Sequence, residues 1–263
     1  YQVIKGLEVV NKFRSELEYL EFARHMEAAE KVEMIEGGFR TTTRGGAQLD
    51  SKALLVATGS RQAFLDVPGE RLYMMYGLCY SALSYAPLFL DRAAVVVGEG
   101  ELALRSTAEL ATMAKKVTLI CECKSHAAME SPLGKKVLSS PNVEILHGYQ
   151  VLEVHGTADT PAPGKEHGFA REMLLQDQEG NKRTLEADGF FIERALIANT
   201  KMVAGLVETD GFGHIRVDNA NRTNVPGIFA AGDATSGFAE QVLIAVGDGA
   251  KAALSAYEYL LGL

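Results

Sequence analysis

Ala93–Val97 is an unbroken apolar run that leads straight into Gly98-Glu99-Gly100-Glu101-Leu102-Ala103, and apolar residues at helical spacing follow to about residue 114. A strand with no polar alternation is buried on both faces. One that turns through G-x-G-x-x-A into a helix reads as the first half of a βαβ unit in a covered parallel sheet. The first glycine permits the tight bend, the second lets a pyrophosphate approach the backbone, and the small third residue lets helix pack on strand. The helix N-terminus adds free N–H groups and the positive end of its dipole. Glu122 closes the next apolar run, residues 117–121, where a carboxylate can accept hydrogen bonds from an adenosine ribose. Against a nucleotide stand Glu99 and Glu101, two negative charges beside the phosphate cradle. A structural turn in an ordinary α/β domain is the alternative reading of the same string.

The alternation continues with a helix over 132–138 and a strand over 143–146. Residues 149–155, 169–176 and 183–187 read as a meander, joined by a polar loop at 157–168 and a turn at 177–181. Upstream, Leu7, Val10, Phe13 and Leu17 fall on one face of a helix over 6–17. Residues 19–23, 31–35 and 39–43 read as strands, the last entering a turn at Arg44-Gly45-Gly46. Residues 53–58 form another apolar run, expected to be covered on both faces. After Ala195, residues 214–217 and 228–231 read as short strands and 241–260 as a closing helix. At 263 residues and 47% hydrophobic, the chain can build two domains, each with its own core.

Charge and cysteine usage narrow the partners. Lys and Arg total 26 against 34 Asp and Glu, a net charge of −8 whose field repels a phosphate backbone or an anionic bilayer, so no nucleic acid is expected. The longest uncharged stretch lies near residues 78–90, is broken by Ser81, Ser84 and Pro87, and falls short of the ~18–20 apolar residues of a membrane span. Cys79, Cys121 and Cys123 cannot make a disulfide framework, and cytoplasm is the expected compartment. Cys121 and Cys123 share one strand face with no His or Cys pair nearby, so packing rather than metal binding is expected. H-E-x-x-H and G-x-S-x-G are both absent, which argues against metalloprotease and α/β-hydrolase chemistry. The sequence opens on Tyr1 with neither an initiator Met nor a signal pattern, so further residues are expected upstream.

A second signal is Gly227-Ile228-Phe229-Ala230-Ala231-Gly232-Asp233, followed by Glu240-Gln241-Val242 and a helix containing Gly247 and Gly249. An Asp after a buried strand can hold a ribityl hydroxyl, and the next helix N-terminus can face an electron-rich ring edge. In isolation the same residues are a turn capping a helix.

With Ala57-Thr58-Gly59, these motifs resemble the low-molecular-weight thioredoxin reductases, flavoproteins with an FAD module and a pyridine-nucleotide module. The family's A-T-G matches residues 57–59, its G-x-G-x-x-A matches Gly98 to Ala103, and its V-P-G-x-F-A-A-G-D matches Val225 to Asp233. Its flavin contact R-Q-A or K-Q-V matches Glu240-Gln241-Val242, and its A-x-G-x-G helix matches Ala245 to Gly249. The resemblance implies an α/β fold of two Rossmann-like, doubly wound, three-layer domains, the second inserted in the first. Residues 1–64 and 195–263 would form the FAD-binding domain, without its N-terminal G-x-G-x-x-G part, and 65–194 the NAD(P)-binding domain. Implied FAD contacts are Thr58, Gly59, Gly232, Asp233, Glu240, Gln241 and Val242; implied NAD(P) contacts are Gly98, Gly100, Ala103 and Glu122. A homodimer through the FAD module is implied as well.

The departures matter equally. The family's redox C-x-x-C and following Asp fall on Ser81-Ala82-Leu83-Ser84-Tyr85, and a hydroxyl can neither form a disulfide nor take electrons from a flavin. The arginines that would hold a 2′-phosphate correspond to Cys121-Glu122-Cys123, with only Lys124 near, which favours weakly bound NADH over NADPH. The glycine hinge A-I-G-x-x-P-N-T reads Glu193-Arg194-Ala195-Leu196-Ile197-Ala198-Asn199-Thr200, losing its Gly and Pro. Two readings stay open. One is an FAD-dependent oxidoreductase that passes electrons to something other than an internal disulfide, a protein redox partner included, as ferredoxin–NADP reductases of similar fold do. The other is a catalytically inactive relative kept as a binding or structural subunit of a larger complex.

Overall fold

A computed structural model describes residues 6–123, 127–156, 168–237 and 239–263, without the side chains of Leu83 and Ser84. The first helix, α1 (Gly6–Tyr19), buries none of its residues. Residues 19–23 are no strand: Tyr19 closes α1 and residues 20–23 run exposed and unpaired, because a strand needs a neighbour as well as an alternating pattern. Strands β1 (Ala29–Ile35), β2 (Gly38–Thr43) and β3 (Gln48–Ser51) form an antiparallel sheet. Next come β4 (Leu54–Val56) and β5 (Ser60–Gln62). Only Val56 of β4 is buried, and Leu55 is 37% exposed, so the expected two-sided burial of residues 53–58 does not hold. Among the described residues the strand has one partner and one covered face.

The chain then builds a larger unit from α2 (Glu70–Tyr73), β6 (Leu78–Cys79), α3 (Ala82–Tyr85), β7 (Ala93–Val97), α4 (Gly100–Ala111), β8 (Lys116–Cys121), α5 (Pro132–Ser139) and β9 (Val143–His147). A meander of β10 (Gln150–Gly156), β11 (Ala170–Gln176) and β12 (Lys182–Glu186) follows, and β13 (Gly189–Ile192) returns to the sheet. The sheet is parallel, in the order β6-β13-β7-β8-β9. The pleat sends alternate β7 residues into different layers: Ala94 and Val96 pack against α4, Val95 and Val97 against the meander. That is a three-layer Rossmann-like unit. The helix of the glycine motif ends at Ala111, three residues short of the expected 114. Most of the expected polar loop 157–168 lies outside the described residues.

The chain leaves through β14 (Leu196–Ala198), antiparallel to β5, and reaches β15 (Ile228–Ala230), parallel to β4. Residues 214–217 do not form the expected strand; Ile215 alone bridges Thr209 and Thr235. The last helix, α6 (Val242–Leu261), packs Ala252 against Phe229 and Ala231. In the larger sheet, β8 and β9 lie on one side of β7 and β13 on the other. The strand order therefore reverses between β7 and β13, where an open α/β sheet forms its ligand crevice.

Candidate functional site

Three of the cavities among the described residues hold the residues that the sequence singled out. The first, about 420 Å³, lies where β4 and β15 end against the start of α6, and its walls include Gly59, Gly232, Asp233, Glu240, Gln241 and Val242. Both glycines adopt left-handed φ, +63° and +64°, which lets the chain turn sharply off each strand. Gln241 stands at the N-cap of α6 without a side-chain cap, so the helix presents open N–H groups. The Asp233 carboxylate has no hydrogen bond among the described residues. Its pKa is raised by burial and then by the Glu240 charge, with His214 acting the other way. Thr58 stands aside: its hydroxyl donates to the Asn199 carbonyl at 2.6 Å, and Asn199 Nδ2 donates back to the Thr58 carbonyl at 3.1 Å.

The second cavity, about 330 Å³, lies at the ends of β7 and β8 and is bordered by Phe64, Gly98, Glu99, Glu122, Arg194 and Ala195. Gly98 is fixed by packing, since a Cβ there would lie 2.0 Å from the Glu193 carbonyl oxygen. Gly100, at φ +76°, has no atom within 4 Å of its would-be Cβ and faces open space. Ala103 is buried behind them. The two carboxylates expected to crowd the cradle are both engaged: Glu99 accepts from the Cys123 N–H at 2.7 Å, and Glu101 pairs with Arg105 at 3.1 Å. Glu122 pairs with Arg194 at 3.6 Å. Among the described residues, the cation beside Glu122 is one that the sequence reading did not name. Lys124 lies outside the described residues, and the cation is Arg194, brought over because β13 ends beside β7.

The third cavity, about 280 Å³, joins the two units and is lined by Gln62, Ser81, Leu102, Ser106, Glu193, Asp233 and Gln241, among others. Glu193, 2% exposed, closes its floor at the end of β13. Its Oε1 accepts from the Ala82 N–H and from Ser106 Oγ, each at 2.8 Å. Burial raises its pKa, against the lowering effect of those two bonds. Ser81 is the exposed N-cap residue of α3, and Ser84 lies within that helix. Cys79, at the edge of the same core, is a free thiol pushed up to about 11 by burial and then by Glu193. Cys121 is pushed up to about 12 by its burial, and Cys123 packs against the same core. Glu193 and Arg194 were visible in the sequence only as losses from the hinge pattern. Their roles follow from the position of β13, which no local pattern encodes.

The family described as pyridine nucleotide-disulphide oxidoreductase matches residues 3–249. A relative from Pseudomonas aeruginosa, a subunit of alkyl hydroperoxide reductase, is 36% identical over 217 residues, 82% of this chain and 40% of that protein. A Bacillus subtilis protein named NADH dehydrogenase is 33% identical over 224 residues, 85% of this chain and 42% of its own length. This chain therefore spans about two fifths of the length of these curated relatives. Among solved structures, thioredoxin reductase from Streptococcus pyogenes superposes with a TM-score of 0.86 at 30% identity, over 100% of this chain and 83% of that one.

Proposed function

Because the chain belongs to the pyridine nucleotide-disulphide oxidoreductases, and within them to the thioredoxin reductase-like proteins that bind FAD and NAD(P), we propose that it is an FAD-dependent oxidoreductase. In this reading it draws electrons from NADH and passes them to an acceptor other than thioredoxin, without an internal disulfide. The observation that carries the reading is Asp233, a half-buried carboxylate with no hydrogen bond among the described residues, set beside the uncapped start of α6.

The donor set of that cleft fits a flavin. Asp233 can accept from a ribityl hydroxyl, the open N–H groups of Val242 and its neighbours can face the electron-rich edge of the ring, and Gly59 and Gly232 bring backbone close without side chains. FAD, when bound, supplies the two-electron relay between a dihydronicotinamide and the acceptor. Residues 1–64 and 195–263 are assigned to its module and 65–194 to the pyridine-nucleotide module. The antiparallel pairing of β5 with β14, the two crossings between units, supports those limits. Gly98 and Gly100 shape the nucleotide turn, and Glu122 offers an acceptor to a ribose hydroxyl. The name of the Bacillus subtilis relative supports NADH as donor. Serines at 81 and 84 leave no thiol pair for exchange, and the sequence holds no C-x-x-C anywhere.

The visible spectrum of purified full-length protein tests this reading. A flavin spectrum that NADH bleaches without oxygen, and no turnover with thioredoxin, is the expected result. Colourless protein that gains no thermal stability from FAD refutes it, since a ligand at 100 times its Kd adds about 2.7 kcal/mol.

A further inference from the structure

We propose that the cavity above Glu193 is the electron-acceptor site, that it takes an uncharged single-ring acceptor of the quinone class, and that the Glu193 carboxyl delivers one of the protons the acceptor takes up. This rests on the oxidoreductase reading above. The place comes from geometry. Glu193 ends β13 at the reversal of strand order, and the cavity over it also touches Asp233 and Gln241 of the neighbouring cleft. Ser81 stands on its rim, an exposed hydroxyl where a disulfide would otherwise fill the space. At about 280 Å³ the cavity is at the lower end of the ~300–1,000 Å³ typical of small-molecule sites, which limits the occupant to about one ring.

Charge selects the occupant further. Beside the Glu193 acid, Glu109, Asp233 and Glu240 line the cavity against one cation, Arg105, which is already paired with Glu101. An anionic acceptor is disfavoured there and a neutral one is not. The groups facing Glu193 are Cys79 from β6, Tyr80, Arg105 and Glu109 from α4, and Asp233 and Glu240 from the other unit. Burial favours the neutral acid and outweighs the two donated hydrogen bonds, which favour the carboxylate. Both donors meet Oε1, and Oε2, which has no hydrogen bond among the described residues, is left to carry the proton.

The chemistry balances. Conversion of a quinone to a hydroquinone takes two electrons and two protons. NADH becoming NAD⁺ releases two electrons and one proton. The second proton comes from Glu193: its O–H bond breaks, an O–H bond forms at the quinone carbonyl oxygen, and the carboxylate is reprotonated by water from the open side of the cavity.

Full-length protein and its Glu193→Gln variant test this with two probes, duroquinone and hexaammineruthenium(III), the second taking one electron and no proton. Infrared spectra of the flavin-free protein should show a protonated carboxyl band that persists above pH 4.5, that duroquinone shifts and that the variant lacks. With FAD bound, Glu193→Gln should lower duroquinone turnover at least tenfold and leave ruthenium turnover within twofold. If Glu193→Gln does not fold, Glu109→Trp, which fills the cavity from α4, should abolish the duroquinone shift and spare ruthenium turnover. A missing band, or duroquinone turnover within twofold of wild type, overturns the proposal. A duroquinone-sensitive band in a protein that oxidises NADH with neither acceptor overturns the oxidoreductase reading and the proton delivery, and upholds the binding site.

Discussion

Gly98→Ala and Gly100→Ala should separate the two roles of the glycine motif, packing and nucleotide approach. A Cβ on Gly98 would lie 2.0 Å from the Glu193 carbonyl oxygen, 2.6 Å from its carbonyl carbon and 3.2 Å from the Ala103 Cβ. Ordinary carbon contacts are ~3.5–4.0 Å, so something must move by about 1.5 Å. The obstacle is backbone, held by the ladder that pairs Gly189 through Ile192 with Ala94 through Val97, so no flexible side chain can yield. Overpacking costs about 1–3 kcal/mol, and with so little room to relax the upper end applies. For a chain of this size that corresponds to a Tm lower by ~6–12 °C. Gly100 has open space at its Cβ position, and its cost is the left-handed φ of +76°, about 1–2 kcal/mol and ~2–8 °C. Differential scanning fluorimetry of ligand-free protein measures both. Nucleotide approach is then read by NADH titration, in which Gly100→Ala, whose methyl enters the open space, should weaken binding severalfold. A Gly98→Ala protein that melts within about 2 °C of wild type refutes the packing argument.

Asp233→Ala in the full-length protein should weaken FAD by about 10- to 150-fold, the ~1.5–3 kcal/mol of a hydrogen bond to a charged group, read by quenching of flavin fluorescence. Glu122→Arg should turn the nucleotide preference toward NADPH, because Arg194 and the new guanidinium would together face the 2′-phosphate; competitive titration of both nucleotides shows whether it does. Cys79, at about 11, should react with iodoacetamide at pH 8 far more slowly than an ordinary thiol, since only about a thousandth is thiolate; labelling as fast as free cysteine contradicts the burial argument. Stability should carry a Glu193 signature in pH. Its pKa is raised in the folded state, so its contribution is full below the ordinary value of 4.5 and is lost as pH rises through the folded value. Glu193→Gln should therefore gain on wild type as pH rises above 4.5 in urea unfolding, and a difference that stays constant with pH contradicts the assignment.

What the sequence revealed was what is encoded locally. Ala93–Val97, its glycines and α4 are set by a continuous apolar run, one turn and helical spacing, and all three are adjacent in the chain. The meander was readable for the same reason. Residues 19–23 and 214–217 have strand-like alternation, yet neither has a neighbouring strand to pair with, and pairing is a tertiary property. The Asp233 cleft was legible because its residues cluster in short motifs. The Glu122–Arg194 pair and the Glu193 floor were not, because each depends on β13 returning beside β7 after the whole meander.

The segment Glu193-Arg194-Ala195 connects these observations. Glu193 faces one cavity and Arg194 the other, and the backbone between them is tied to the second crossing: Gln62 donates to the Ile192 carbonyl at 3.2 Å, Ala63 N–H to Ala195 O at 2.9 Å, and Arg194 to Phe64 O at 3.4 Å. The exposed Glu122–Arg194 pair adds at most about 1 kcal/mol to that tie, so the backbone pairing decides the stiffness. Replacing a hinge glycine with Ala195 also removes the freedom to cross into left-handed φ. The β5–β14 ladder ties the two crossings to each other, so a rotation of one unit against the other would carry both strands rather than swivel about a single residue. The structure holds Ser81 and Glu193 opposite Asp233 and Gln241 across one cavity. A cavity kept open at that junction suits an acceptor that enters from solvent better than a partner that must wait for the units to swing apart.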